Sequence, residues 1–235
     1  MTEILCHADS YLREFQANVV KVAEQGLVLD RTAFYPGGGG QPNDIGCLWC
    51  GDDRYQVLDM KKIDGDLVHI LDREPPELKS LVQGQIDWER RYQLMRTHSA
   101  LHILCGVVWR DYGAHVTGGN MQPLQARMDF ELEHISTDFV SEVEKRVNHE
   151  IILNRPITTA VLPREEAMEI PDLIRTKINL LPEGIAYVRV VDIQGLDLQA
   201  DGGTHVANTL EVGHIKVVGH ESKGRINKRI RVVIE

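Results

Sequence analysis

The run over residues 87–112 constrains this chain more than any other stretch. It contains no proline and one glycine, Gly106, and its apolar residues keep helical spacing. Leu94, Leu101, Cys105 and Val108 recur at steps of seven, four and three, which places them on one stripe of a helix. His98 and His102 are four apart, about one turn, and project side by side at the edge of that stripe. Two imidazoles so placed form a bidentate clamp for a borderline metal such as zinc. Far downstream, Asp201-Gly202-Gly203-Thr204-His205 repeats the spacing, and Asp201 and His205 could supply two more ligands from a loop. Helical histidine pairs also occur merely half-buried and hydrogen-bonded. The second matching pair is what points to a metal.

At 235 residues the chain has room for one large domain or two small ones. A net charge of −9 argues against a protein that coats nucleic acid through bulk electrostatics, although residues 216–235 are locally basic. No apolar run approaches the roughly 18 residues that span a bilayer, and the first residues lack a basic stretch followed by an apolar one. A cytoplasmic protein that makes no use of a membrane is expected. Cys6, Cys47, Cys50 and Cys105 are too few for a disulfide framework. Cys47-Leu48-Trp49-Cys50 has the spacing of a redox pair or half a zinc site, but no second pair completes it, so it is assigned to structure.

Residues 1–85 read as short strands and turns, with strands at 19–22, 26–29, 55–60 and 66–71 and a helix only at 8–16. A small β-barrel or sandwich follows. The glycine run Gly37 to Gly40 admits two readings: a flexible hairpin loop, or a segment whose backbone approaches a ligand and offers it N–H donors, with Gln41 as the first side chain able to reach it. Residues 73–77, with Pro75-Pro76, form the best linker candidate. The boundary is placed near residue 86, giving domains 1–86 and 87–235. Beyond the His helix, residues 113–119 read as a turn from which Thr117 could contact a substrate amino or hydroxyl group. A strand at 126–132, a helix capped by Ser136, a strand at 157–162, a helix opening at Pro163 and strands at 185–193, 215–218 and 226–234 complete an α+β domain. In the last strand Arg225, Asn227, Arg229 and Arg231 share one face, either solvated or in contact with phosphates.

Three motifs in register carry a family resemblance: His98-x-x-x-His102, Gly202-Gly203-Thr204-His205-Val206, and Thr32-Ala33-Phe34-Tyr35-Pro36-Gly37-Gly38-Gly39-Gly40-Gln41-Pro42. Together they resemble the editing domain of alanyl-tRNA synthetase and its freestanding relatives, the AlaX proteins, over nearly the whole chain. The resemblance implies an N-terminal barrel followed by an α+β editing domain of the threonyl/alanyl-tRNA synthetase type. It implies a zinc ion, one per chain, on His98, His102, Asp201 and His205. It also implies a cleft lined by Gly38, Gly39, Gly40 and Gln41 together with Gly202, Gly203 and Thr204. Gln41, Thr117 and Asp201 become candidate catalytic residues, and Arg225 and Arg229 candidate tRNA contacts. The family more often carries Cys where this chain has Asp201.

The implied substrate is alanine tRNA mischarged with serine first and glycine second, hydrolysed in trans as a monomer or homodimer without ATP. A synthetase site cannot strongly reject an analogue that merely adds a hydroxyl, so a separate hydrolytic site is the physical remedy. The helix lacks the Glu of a His-Glu-x-x-His protease, and no Gly-x-Ser-x-Gly elbow accompanies a triad. Two rivals remain: a non-catalytic module that binds the tRNA 3' end, and a zinc hydrolase of small esters or amides unrelated to tRNA.

Overall fold

A computed structural model describes residues 2–177, 181 and 184–235. The chain divides into two compact units, Met1–Tyr92 and Gln93–Glu235.

In the first unit, β1 (Glu3–Ile4) pairs in parallel with β4 (Arg31–Thr32), and six strands close a barrel. These are β2 (Glu14–Ala23), β3 (Gly26–Leu29), β5 (Gly46–Cys50), β6 (Asp53–Ile63), β7 (Asp66–Leu71) and β8 (Leu81–Ile86), in the order β2-β3-β7-β6-β5-β8. Alternation explains the closure: Phe15, Ala17 and Val19 of β2, Tyr55 and Val57 of β6 and Val82 and Ile86 of β8 point into one core with Leu27, Leu29, Phe34 and Leu48. Residues 8–16, expected to be helical, instead follow a 3-10 turn (Leu5–His7) and enter β2, because the barrel claims their alternating end. The Pro75-Pro76 linker candidate is also corrected. β8 follows it and pairs with both β2 and β5, so the prolines lie in a connection within the barrel.

The glycine run is an ordered loop in which Gly37, Gly38, Gly39 and Gly40 all have positive φ, from 57° to 132°. Only residues without Cβ adopt that conformation four times in succession at little cost. Gly38 and Gln41 exchange backbone hydrogen bonds of 3.0 and 2.9 Å, and the Tyr35 hydroxyl donates to the Gly38 carbonyl. Asp44 closes the base of the loop, accepting the Tyr35 N–H at 2.6 Å and returning its own N–H to the Tyr35 carbonyl. Arg91, fully buried, forks onto Asp44 and donates to the Ala33 and Ser10 carbonyls.

Helix α1 (Trp88–Tyr112) runs on into the second unit. There β9 (Val116–Gln122) and β10 (Gln125–Glu131) join β14 (Ile215–Gly224) and β15 (Asn227–Ile234) in an antiparallel sheet ordered β14-β15-β10-β9. A second sheet comprises β11 (Ile157–Pro163), β12 (Tyr187–Ile193) and β13 (Asp197–Ala200). α2 (Thr137–Ile152) begins at Ser136, whose side chain accepts the Phe139 N–H, and buries Val140, Val143 and Val147. Its Asn148 and Glu144 side chains bond the backbone of β14. α3 (Arg164–Glu169) follows Pro163 directly.

The single apolar stripe expected of α1 is too narrow a description. Every residue from Thr97 to Val108 is buried, so this helix is the axis of the unit's core. Its polar members are satisfied locally: Thr97 donates to the Gln93 carbonyl and accepts the Leu124 N–H. The expected turn at 113–119 is likewise shorter than read, since β9 begins at Val116 and takes Thr117 with it.

Candidate metal centre

α1 projects His98 and His102 from one face, with ring centroids 5.2 Å apart. After β13 the chain turns back, so that Asp201 and His205 meet that face. One donor atom from each of the four side chains lies within 4.8 Å of the other three. Asp201 Oδ2 is 3.4 Å from His98 Nε2 and 3.9 Å from His102 Nε2, and Asp201 Oδ1 is 3.1 Å from His205 Nε2. Metal–donor bonds of about 2.0–2.1 Å in a tetrahedron set donor–donor edges of about 3.3 Å, which these separations bracket. Three imidazole nitrogens and one carboxylate oxygen, nearly all buried, fit a borderline divalent ion. Asp201 is the most open member, its side chain 12% exposed against 7% or less for the histidines.

The far sides of the rings are also held. His102 Nδ1 lies 3.1 Å from Asp197 Oδ2, and His205 Nδ1 lies 3.2 Å from Ser99 Oγ, which in turn accepts the Val206 N–H. With Nδ1 so engaged, each ring turns Nε2 to the centre of the cluster. The loop is pinned as well: the Gly203 N–H donates to Asp201 Oδ1 at 2.6 Å, the Asp201 N–H donates to the Arg189 carbonyl of β12, and the Arg189 guanidinium donates to the Asp201 carbonyl. Thr204 is fully buried.

Electrostatics follow from burial and neighbours. Burial opposes charge on His102, but the hydrogen bond to Asp197 and the nearby Asp201 carboxylate outweigh it and push the imidazole up to about 9. Burial also opposes charge on Asp201, yet His98 beside it and hydrogen bonds from His102 and His205 hold its carboxyl well below the usual range. Burial, helped by the nearby His98, keeps His205 well below its ordinary value and therefore neutral.

Gln41 is buried in the first unit beside Gly38 to Gly40. The Thr117 hydroxyl donates to Asn227 Oδ1 at 2.9 Å, so it serves the sheet. Arg225 and Arg229 do not share a strand face, because Arg225 falls in the turn between β14 and β15. Arg229 turns its guanidinium onto both Asp129 oxygens at 2.7 Å, which occupies the charge a phosphate would need. Asp197, Ser99 and Gln199 escaped the sequence reading. Period-two alternation over Asp197-x-Gln199-x-Asp201 was the available signal for two of them.

The fold and this site define a class. Residues 188–231 match the threonyl and alanyl tRNA synthetase second additional domain, and residues 4–90 match class II (A) tRNA synthetases. The chain is 39% identical to the alanyl-tRNA editing protein AlaX-M of Saccharolobus solfataricus, over 100% of both chains. It is 40% identical to AlaX-M of Methanosarcina barkeri over 98% of each. Against the alanine–tRNA ligase of Pyrococcus furiosus it is 38% identical over 94% of this chain but 24% of the ligase. The chain belongs to the AlaX family of alanyl-tRNA editing proteins.

Proposed function

We propose that the protein hydrolyses the ester joining a wrong amino acid to alanine tRNA, chiefly the seryl form and secondarily the glycyl form, with zinc on His98, His102, Asp201 and His205. The observation that carries this reading is the convergence of those four donors in a chain matched end to end by alanyl-tRNA editing proteins. Zinc bound there would polarise the ester carbonyl or lower the pKa of a water towards neutrality. The chain's own residues supply the rest. The helix fixes the His98 and His102 imidazoles one turn apart, while Ser99 stands at Nδ1 of His205 and Asp197 at Nδ1 of His102. Asp201, at the open side, would accept a hydrogen bond from water or from the aminoacyl ammonium group. Gly202 and Gly203, next in the loop, carry no side chain that would crowd a small aminoacyl group beside it. Gln41 and Gly38 to Gly40 enter this reading through the family resemblance alone.

The test is deacylation of seryl-, glycyl- and alanyl-tRNA(Ala) by zinc-loaded and metal-stripped protein. Release of serine well above alanine, abolished by stripping or by His98→Ala and restored by zinc, supports the reading. Binding of the tRNA 3' end without turnover would favour the binding-module alternative. Turnover of small seryl esters that uncharged tRNA fails to inhibit would favour a small-ester hydrolase. No metal in protein purified without chelator, and none taken up on titration, would overturn the zinc assignment.

A further inference from the structure

β13 presents a row of three polar side chains on one face, Asp197, Gln199 and, just past its end, Asp201. Asp201 belongs to the metal cluster. Asp197 does not, since its Oδ2 faces the opposite nitrogen of His102, Nδ1, at 3.1 Å. Asp197 is an expensive residue to keep there. Its side chain is fully buried, and a lone buried carboxylate is strongly disfavoured unless other groups compensate it. The compensation is built from several elements. Gln199 Nε2 donates to the same Oδ2 at 2.6 Å. Arg175, from the segment after α3, brings its Nε to 3.7 Å from Oδ1 while its guanidinium lies over the Trp109 ring at 4.6 Å. Trp109 stands on α1, seven residues beyond His102 and so on the same side of the helix.

Close approach of β13 to α1 is what allows this contact. A Cβ on Gly106, one turn beyond His102, would come within 3.0 Å of both the Asp197 Cβ and the Leu196 Cγ. The one glycine in the helix therefore sits where the strand must come closest.

We propose that Asp197 is a positioning residue for the metal centre: it holds the His102 proton on Nδ1, so that Nε2 is the donor, with Gln199 and Arg175 holding Asp197 in turn. A neutral imidazole can carry its proton on either nitrogen, and only one choice lets the ring bind from the geometry found here. A buried carboxylate accepting from Nδ1–H removes the choice and makes Nε2 a better donor. Such a group has no need to touch substrate. Its loss should show in metal affinity and in ring tautomer before it shows anywhere else.

The inference rests on the metal reading above, and the experiment separates the two. Zinc affinity is measured by chelator competition on the full chain for wild type, Asp197→Asn and Gln199→Ala, with thermal melting of each metal-free protein as the control for folding. Asp197→Asn should weaken zinc about 10–100-fold, the range for outer partners of ligands, while the metal-free protein still melts cooperatively. Gln199→Ala, at a half-exposed position, should weaken zinc by a smaller factor. Imidazole nitrogen NMR of zinc-loaded wild type should show His102 protonated at Nδ1 and bound through Nε2. Zinc affinity within about threefold of wild type in folded Asp197→Asn overturns the proposal. So does coordination of His102 through Nδ1 in the wild type, which settles the matter even if Asp197→Asn does not fold. Wild type that binds no zinc would instead remove the metal reading itself.

Discussion

Replacing Arg91 by Met should destabilise the protein more than any single surface change, because it strands a charge. Arg91 and Asp44 are 0% and 1% exposed, and Arg91 also serves the Ala33 and Ser10 carbonyls. Removing one partner of a buried ion pair typically costs about 3–5 kcal/mol, since the surviving carboxylate has neither water nor counter-charge. For a chain of this size that corresponds to a fall in melting temperature on the order of 10 °C. Met fills most of the Arg volume, so the loss reports charge and hydrogen bonding more than a cavity. The double variant Arg91→Met/Asp44→Asn separates these terms. Without the buried charge it should recover about 1–3 kcal/mol relative to Arg91→Met alone. Urea unfolding of the full chain gives the energies, and hydrogen exchange at the Tyr35 and Asp44 amides reports the base of the glycine loop, which should open faster. A single-variant loss below about 1 kcal/mol, or a double variant no better than the single one, would refute the argument.

Three further outcomes are expected. Asp201→Ala should weaken zinc by about 10-fold or more and Asp201→Cys should retain it, as read by chelator competition; unchanged affinity in the Ala variant would take Asp201 out of the metal set. His69, buried in the barrel against Thr32 and the Leu27 carbonyl, is pushed by burial down to about 4. The unfolded chain therefore binds a proton at this site that the folded one refuses, and stability is lost as pH falls from about 6.5 towards 4; between pH 7 and pH 5 wild type should lose about 2 kcal/mol relative to His69→Gln, and a pH-independent difference would contradict this. Gly106→Ala should be destabilising by about 1 kcal/mol, because crowding of β13 outweighs the gain in helix propensity; a net stabilisation would show that the strand yields freely.

Much of this was legible in the sequence where local chemistry and tertiary structure agree. Absence of breakers announced α1, and matching four-residue spacings announced the two residue pairs that meet in the His98, His102, Asp201 and His205 cluster. Alternating short segments announced the barrel. Elsewhere the burial of a residue depends on partners far along the chain. Thr97 and Ser99 look like a polar helix face, yet each is fully buried because a distant amide finds its hydroxyl. Gly118 and Gly119 look like a turn, but pairing with β10 draws them into β9. Arg229 looks free for phosphate until β10 places Asp129 opposite it. Nothing in the sequence beyond alternation singles out Asp197, because β13 is four residues long and the contact that matters is with α1.

The two halves of the four-residue cluster also differ in origin, with consequences for any metal they hold. His98 and His102 are brought together by one helix, whereas Asp201 and His205 stand about a hundred residues further along the chain. An ion held by all four would bridge that long stretch of chain, and because the unfolded chain does not hold the four donors together it would bind the folded state alone. With a metal bound, the cluster should thus behave as a reversible cross-link that strengthens the second unit by an amount rising with the logarithm of the free ion concentration.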